Sequence, residues 1–173
     1  MIATERLELR PLDRDTAQAM VDGERGDRAW HEEFPVPDDQ DAARSFLRDP
    51  HDVFGSFVIV EQATGLAIGT IGFFGPPDDD GIAMLGYGLV PSARGRGYAT
   101  EALRGLMGYA FAQGSVRLLV ADTLRDNVAS QRVLEKAGFA RTHSTDEAHW
   151  YATGAPPASD GEAEVLGGQG ARQ

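Results

Sequence analysis

Seven consecutive residues, Arg94-Gly95-Arg96-Gly97-Tyr98-Ala99-Thr100, combine types that can hold an anion. They lie between an apolar run, "IAMLGYGLV", and a segment with helical periodicity. The first amides of a helix have no intrahelical partner and carry the positive end of the helix dipole. Gly95 and Gly97 let a ligand come close to that backbone. Arg94 and Arg96 add charge-assisted donors at the same place. A phosphate or pyrophosphate is the ligand this chemistry suits. On the residues alone, a surface turn with two solvated arginines is an equal alternative.

Two common phosphate sites fit poorly. The P-loop requires G-x-x-x-x-G-K-[ST], and neither the lysine nor the spacing is present. The dinucleotide fingerprint G-x-G-x-x-G is nearly met by Gly95, Gly97 and Thr100, with Asp122 at the end of the next strand. Its third glycine is missing, and about half the chain precedes it, whereas such a unit usually opens its domain.

A second set falls on a helix. Asn127, Ser130 and Leu134 stand at i, i+3 and i+7, so they share one face. Asn127 also fits as an N-cap, and Ser130 as an ordinary helix serine. Trp30, Phe34, Tyr87 and Trp150 could line a pocket or simply fill the core. The segment "RAWHEEFPVPDDQD" carries Glu32, Glu33, Asp38, Asp39 and Asp41, which could attract a cationic amine or form a solvated loop. The four histidines show no ligand spacing, so no metal site is expected.

The elements that must position these residues are legible from periodicity. "RLELRPL" alternates and reads as a first strand. Residues 13–22 are helix-like, and Asp38 to Asp41 can cap a short helix "DAARSFLRD". "SFVIVEQ" (56–62) and "LAIGTIGFF" (66–74) form a hairpin around "ATG". Residues 82–90 are a strand that Gly86 and Gly88 weaken, consistent with a bulge. A helix over about 97–112 presents Ala99, Leu103, Leu106, Met107 and Ala110 as its apolar stripe. Residues 116–122 are a buried-type strand. "NVASQRVLEKAG" is a helix stopped by Gly138, and "FARTHS" and "HWYAT" close as short strands. From Gly154 on, the chain is small and polar and reads as a mobile tail. The expected organisation is a domain over 1–153 and a tail over 154–173.

Composition bounds the function. At 173 residues, with 42% apolar and 25% charged residues, one soluble globular domain is expected. A net charge of −11 argues against a general nucleic-acid binder. With no cysteine there is no thiolate nucleophile. No apolar run has the length of a membrane span, and the N-terminus lacks the apolar core of a signal peptide. A cytoplasmic protein is expected.

Three blocks together resemble the GCN5-related N-acetyltransferases (GNAT), in their RimJ/RimL-type branch. "RGRGYA" fits the R/Q-x-x-G-x-G/A signature through Arg94, Gly97 and Ala99. "NVASQRVLEKAGF" is similar to the second block, N-x-x-S-x-x-V-L-x-K-x-G-F. "TERLELRPL" is similar to the opening of the branch. The resemblance implies a single-domain α+β fold with a mixed, mostly antiparallel sheet of about seven strands. It implies acetyl transfer from acetyl-CoA, as acyl donor, to a primary amine on a protein N-terminus or a small molecule. It assigns the pyrophosphate to the amides of Arg94, Gly95, Arg96, Gly97, Tyr98, Ala99 and Thr100. It places the pantetheine arm where strands 82–90 and 116–122 splay, with hydrogen bonds from Leu89 and Val90, one of whose amides would also serve the oxyanion. Asn127 would order that region.

The chain departs from the family pattern twice. Leu134 stands where many members have a tyrosine acid, which leaves Ser130 as the implied proton donor. Met84 stands where related proteins often have a glutamate, so a base must come from elsewhere; Glu32, Glu33, His31, Glu147 and His149 are candidates. Trp30, Glu33, Phe34 and Tyr87 would line the acceptor pocket. A homodimer is possible by family likeness. The two departures keep open a non-catalytic acyl-CoA-binding sensor or scaffold as the alternative.

Overall fold

Apolar alternation builds the sheet, and the connections decide which strands run parallel. The computed structural model describes residues 1–156. The segment 157–173, most of the expected tail, lies outside the described residues. Eight strands run in chain order: β1 (Ile2–Ala3), β2 (Leu7–Pro11), β3 (Ser56–Glu61), β4 (Ala67–Phe73), β5 (Ile82–Leu89), β6 (Leu118–Leu124), β7 (Ala140–Ser144) and β8 (Ala148–Gly154). Their spatial order is β1-β2-β3-β4-β5-β6-β8-β7. The count exceeds the expected seven by the two-residue β1, which pairs with Glu8 and Leu9 of β2.

β2 to β5 pair antiparallel in chain order; short loops join β3 to β4 and β4 to β5, while a long helical excursion separates β2 from β3. The step from β5 to β6 passes through helix α3 (Tyr98–Ala112), and a crossover of that length permits parallel pairing. Helices α1 (Arg14–Asp22) and α2 (Pro37–Arg48) pack together, with α2 against β3 and β4. Asp13 caps α1 by accepting from the Thr16 amide at 2.7 Å. α3 and α4 (Val128–Lys136) contact each other on the opposite face. Leu103, Leu106 and Ala110 of α3 are fully buried, and Tyr109 meets Phe57 edge-on.

The expected bulge in residues 82–90 is absent. The β4–β5 register runs without interruption from Gly69↔Leu89 to Phe73↔Leu85, and the irregularity lies instead between Ile59 and Val60 of β3. The glycines answer to close approach. A Cβ on Gly69 would sit 2.1 Å from the Gly88 carbonyl oxygen, and one on Gly86 would touch the Phe74 ring at 3.1 Å. A Cβ on Gly88 would meet nothing within 4 Å. Among the described residues, no helix is long and apolar enough to cross a membrane.

Candidate active site

The parallel pairing of β5 with β6 covers only Ile82↔Leu118, Ala83↔Leu119 and Met84↔Val120. Beyond it β5 stays with β4 as far as Leu89, and β6 stays with β8 as far as Leu124. The sheet therefore opens between two strands that are each held on their outer side. In an antiparallel ladder the backbone groups of alternate residues point to opposite sides. The Phe74 amide donates to Met84 O and the Val90 amide to Ile68 O, so the even residues of β5 serve β4. Leu85, Tyr87 and Leu89 then turn their amides toward the opening. The Leu89 amide has no partner among the described residues, while its carbonyl accepts from Arg94. The Val90 amide is instead committed to the sheet; the expectation that it would bind a ligand is corrected here.

A cleft of about 700 Å³ occupies the opening. Leu85, Tyr87 and Gly88 wall it from β5, and Ala121 to Leu124 wall it from β6. Asn127 and Ser130 close the α4 side. Asp38, Asp41 and Phe46 of α2, with Asp49, His51 and Phe54 beyond it, form the other side.

The two faces of the sheet divide this cleft. Thr70 of β4 donates to Asp39 of α2 at 2.7 Å, which marks its face as the α2 face. Tyr87 pairs with Ile71, the neighbour of Thr70, and so points the opposite way. There its hydroxyl lies 2.9 Å from Ser130 Oγ and donates toward Ser130 O at 3.2 Å. Burial pushes the Tyr87 phenol up to about 12, against the opposing pull of the Ser130 hydrogen bond. The phenol therefore keeps its proton at neutral pH. Asn127 accepts from the Ser130 amide at 3.1 Å, which makes it the N-cap of α4 and fixes where Ser130 sits.

The Arg-Gly turn stands at the end of β5. A 3-10 turn at Pro91–Ala93 leads into it, and Gly95 and Gly97 take φ of 75° and 79°. A side chain would strain both positions. The first helical bond of α3 joins Glu101 N–H to Gly97 O. No acceptor among the described residues takes the amides from Gly95 to Thr100. Arg94 donates to Leu89 O at 3.1 Å and ties the turn to the end of the strand. The Arg96 side chain is 58% exposed, 3.8 Å from Glu61. Tyr98 is buried and donates to Glu61 at 2.7 Å, so only its amide can face a ligand.

Three residues expected in an acceptor pocket lie elsewhere. Trp30 and Phe34 pack edge to face within the core, 7% and 2% exposed. Arg25 holds their loop by donating to the carbonyls of Trp30, His31, Glu32 and Phe34. Glu33 accepts from the Ser92 amide at 3.0 Å, and that bond holds its carboxyl below the usual range. None of the three lines the cleft; of the four, only Tyr87 does. The base candidates Glu32, Glu33, His31, Glu147 and His149 also lie outside it. His149 is occupied by Ser144 at 2.6 Å, and burial lowers its pKa. The titratable groups that do line the cleft include Asp38, Asp41, Asp49, His51 and Asp122. Sequence reasoning missed Thr123 and the aromatics Phe54, Phe73 and Phe74. For Thr123 the available signal is a hydroxyl in an otherwise apolar inward row, Leu119, Ala121, Thr123.

Comparison with known proteins agrees with this geometry. A model of the acetyltransferase (GNAT) domain matches residues 6–140. The chain is 36% identical over 98 residues to the uncharacterized N-acetyltransferase YjdG of Bacillus subtilis, covering 56% of this chain and 58% of that protein. It is 27% identical over 127 residues to the uncharacterized N-acetyltransferase YnaD of the same organism, covering 73% and 59%. The matches thus span less than two thirds of the length of these curated relatives. Among solved structures, an acetyltransferase from Agrobacterium tumefaciens is 28% identical with a TM-score of 0.62, covering 88% of this chain and 92% of that one. RimJ of Mycobacterium smegmatis, solved in complex with CoA-disulfide, is 20% identical with a TM-score of 0.63, covering 94% and 89%. The chain belongs to the GNAT acetyltransferase family.

Proposed function

We propose that this protein transfers an acetyl group from acetyl-CoA directly to a primary amine. The observation that carries this reading is the join between the β5–β6 opening and the run of unpartnered amides from Gly95 to Thr100. A strand edge for an extended arm leads straight into an anion cradle. The cradle amides, with Arg96 and Arg94, receive the pyrophosphate. The arm runs along β5, where the amides of Tyr87 and Leu89 face the opening.

Tyr87 and Ser130 stand at the inner end. The neutral amine attacks the thioester carbonyl, and the Leu89 amide is the strand donor that can stabilise the developing oxyanion. Ser130 protonates the departing thiolate. The attacking amine sheds its proton to solvent on the α2 side and solvent returns one to Ser130, while Tyr87, whose raised pKa holds its own proton in place, orients the Ser130 hydroxyl through their hydrogen bond. No acyl-enzyme is formed, because the chain has no cysteine and Ser130 lies in a helix without a histidine beside it. The amine enters from the α2 side. Asp38, Asp49 and Asp122, with Asp41 paired to Arg44, outnumber the lining Arg48 and favour a cationic acceptor there, a protein N-terminus or a small molecule.

Release of CoA thiol from acetyl-CoA, measured with a panel of primary amines, tests the proposal. Ser130→Ala lowers kcat by about 10²-fold, in the range typical of a lost general acid, and leaves acetyl-CoA affinity within about twofold. Tyr87→Phe lowers kcat less, since Ser130 remains. An absence of amine-dependent release, with acetyl-CoA still bound, would favour the sensor or scaffold reading instead.

A further inference from the structure

Thr123 Oγ1 is the buried side-chain polar atom that has no hydrogen-bond partner among the described residues. Thr123 is 5% exposed and lines the cleft. A buried hydroxyl without a partner is destabilising, because it has given up its water without a replacement. Folded proteins hold few such groups, and one at a cleft wall calls for a ligand. Valine has nearly the same shape and would fill the position without that cost. The hydroxyl does nothing for the fold that the described contacts reveal.

Its direction follows from the register. The last parallel pair is Met84↔Val120, and three residues further along each strand lie Tyr87 and Thr123. The two side chains therefore share a face on opposite banks of the opening. That face is the one covered by α4, since Tyr87 meets Ser130 there. It is also the side of α3, whose N-terminus makes the anion cradle. Asp122, one residue earlier, points to the α2 side. Thr123 thus faces the acyl donor and not the incoming amine. Within the donor's reacting end, the carbonyl oxygen is a strong acceptor and the sulfur a weak one.

We infer that Thr123 Oγ1 donates a hydrogen bond to the acyl carbonyl oxygen of the thioester and holds the acetyl group across the opening from Tyr87. The inference rests on the acyl-CoA reading above and adds a residue that selects the acylated over the free form of the coenzyme. The bond places the carbonyl for attack from the α2 side. It persists as charge develops on that oxygen.

Titration calorimetry with acetyl-CoA and with free CoA, on wild type, Thr123→Val and Thr123→Ser, is the test. Wild type binds acetyl-CoA about tenfold more tightly than CoA, which corresponds to about 1.4 kcal/mol. Thr123→Val brings the two affinities to within about twofold by weakening acetyl-CoA alone, and Thr123→Ser restores the preference. The ligand-free melting temperature of Thr123→Val equals or exceeds that of wild type, because an unpaired hydroxyl has been removed; a merely structural threonine would lower it. A preference that survives in Thr123→Val, or equal affinities in wild type, overturns the inference. Failure of wild type to bind either compound overturns the acyl-CoA reading itself, which is a different result.

Discussion

Glu101 shows how much one carboxylate can tie together. It accepts from Thr4 Oγ1, from the Arg6 amide and from the Arg6 guanidinium, at 2.6 to 2.7 Å. Burial alone would push its pKa up; the bonds from Thr4 and Arg6 outweigh that and lower it. A carboxyl whose folded pKa is depressed adds stability above its unfolded value and loses it as the pH falls through the folded one. Glu101→Gln should therefore cost about 1–2 kcal/mol at pH 7, discounted for the partial exposure of Arg6. Denaturant melts should show that gap closing below about pH 4.5. A gap of constant size down to pH 3 would mean that the charge is not what Glu101 contributes.

The glycine-arginine turn and the Asn127-capped helix start that places Ser130 are legible in the sequence because their types and spacing are local properties. The acceptor side is poorly legible. Trp30 and Phe34 are aromatics near an acidic loop, and only the three-dimensional path of that loop, wrapped around Arg25, shows that they are core. Thr123 became visible only once the place where β5 and β6 part was known, because its meaning depends on having no partner.

Elements carry the site by being held on one side and free on the other. β5 is locked to β4 from Met84 to Leu89, which leaves its odd residues to face the opening. Gly69 and Gly88 mark the two limits of this arrangement. Gly69→Ala drives a Cβ into the Gly88 carbonyl and should misfold or strongly destabilise the meander. Gly88→Val extends into empty cleft space, so its melting temperature should stay close to wild type while acetyl transfer falls at least about tenfold. A Gly88→Val enzyme with full activity would remove this cleft from the reaction. The sequence marked both Gly86 and Gly88 as weak points in a strand. It could not separate a bulge from a close approach, because that distinction lies in β4 and in Phe74, on neighbouring segments. Helices α1, α3 and α4 were legible to within a residue or two, since caps such as Asp13 and Asn127 act on their own next turn. The expected second helix began at Asp41, whereas α2 starts four residues earlier at Pro37, because Pro at the first helical position precedes the acidic cap candidates.

At the scale of the whole molecule, the proposed reaction requires an acidic protein to bind an anionic donor. The net charge of −11 opposes this at long range, but salt screens it beyond about 8–10 Å. Within that distance the amides from Gly95 to Thr100 and the two arginines decide the outcome. The same acidity suits the cleft on the α2 side to the amine of the proposed reaction. On that reading one face of the sheet would handle the donor and the other the acceptor, with the split strands joining them. The measurement that tests this most directly is a thermal-shift titration with acetyl-CoA, and with NAD as control, on wild type and on Arg94→Ala/Arg96→Ala. Each protein is compared with its own ligand-free melting temperature, because Arg94 also supports Leu89. Acetyl-CoA at about 100 times its Kd should stabilise wild type by about 2.7 kcal/mol, a rise of several degrees, and the double variant should lose most of that rise at the same concentration. No rise with millimolar acetyl-CoA, an equal rise with NAD, or a full rise in the double variant would contradict the account.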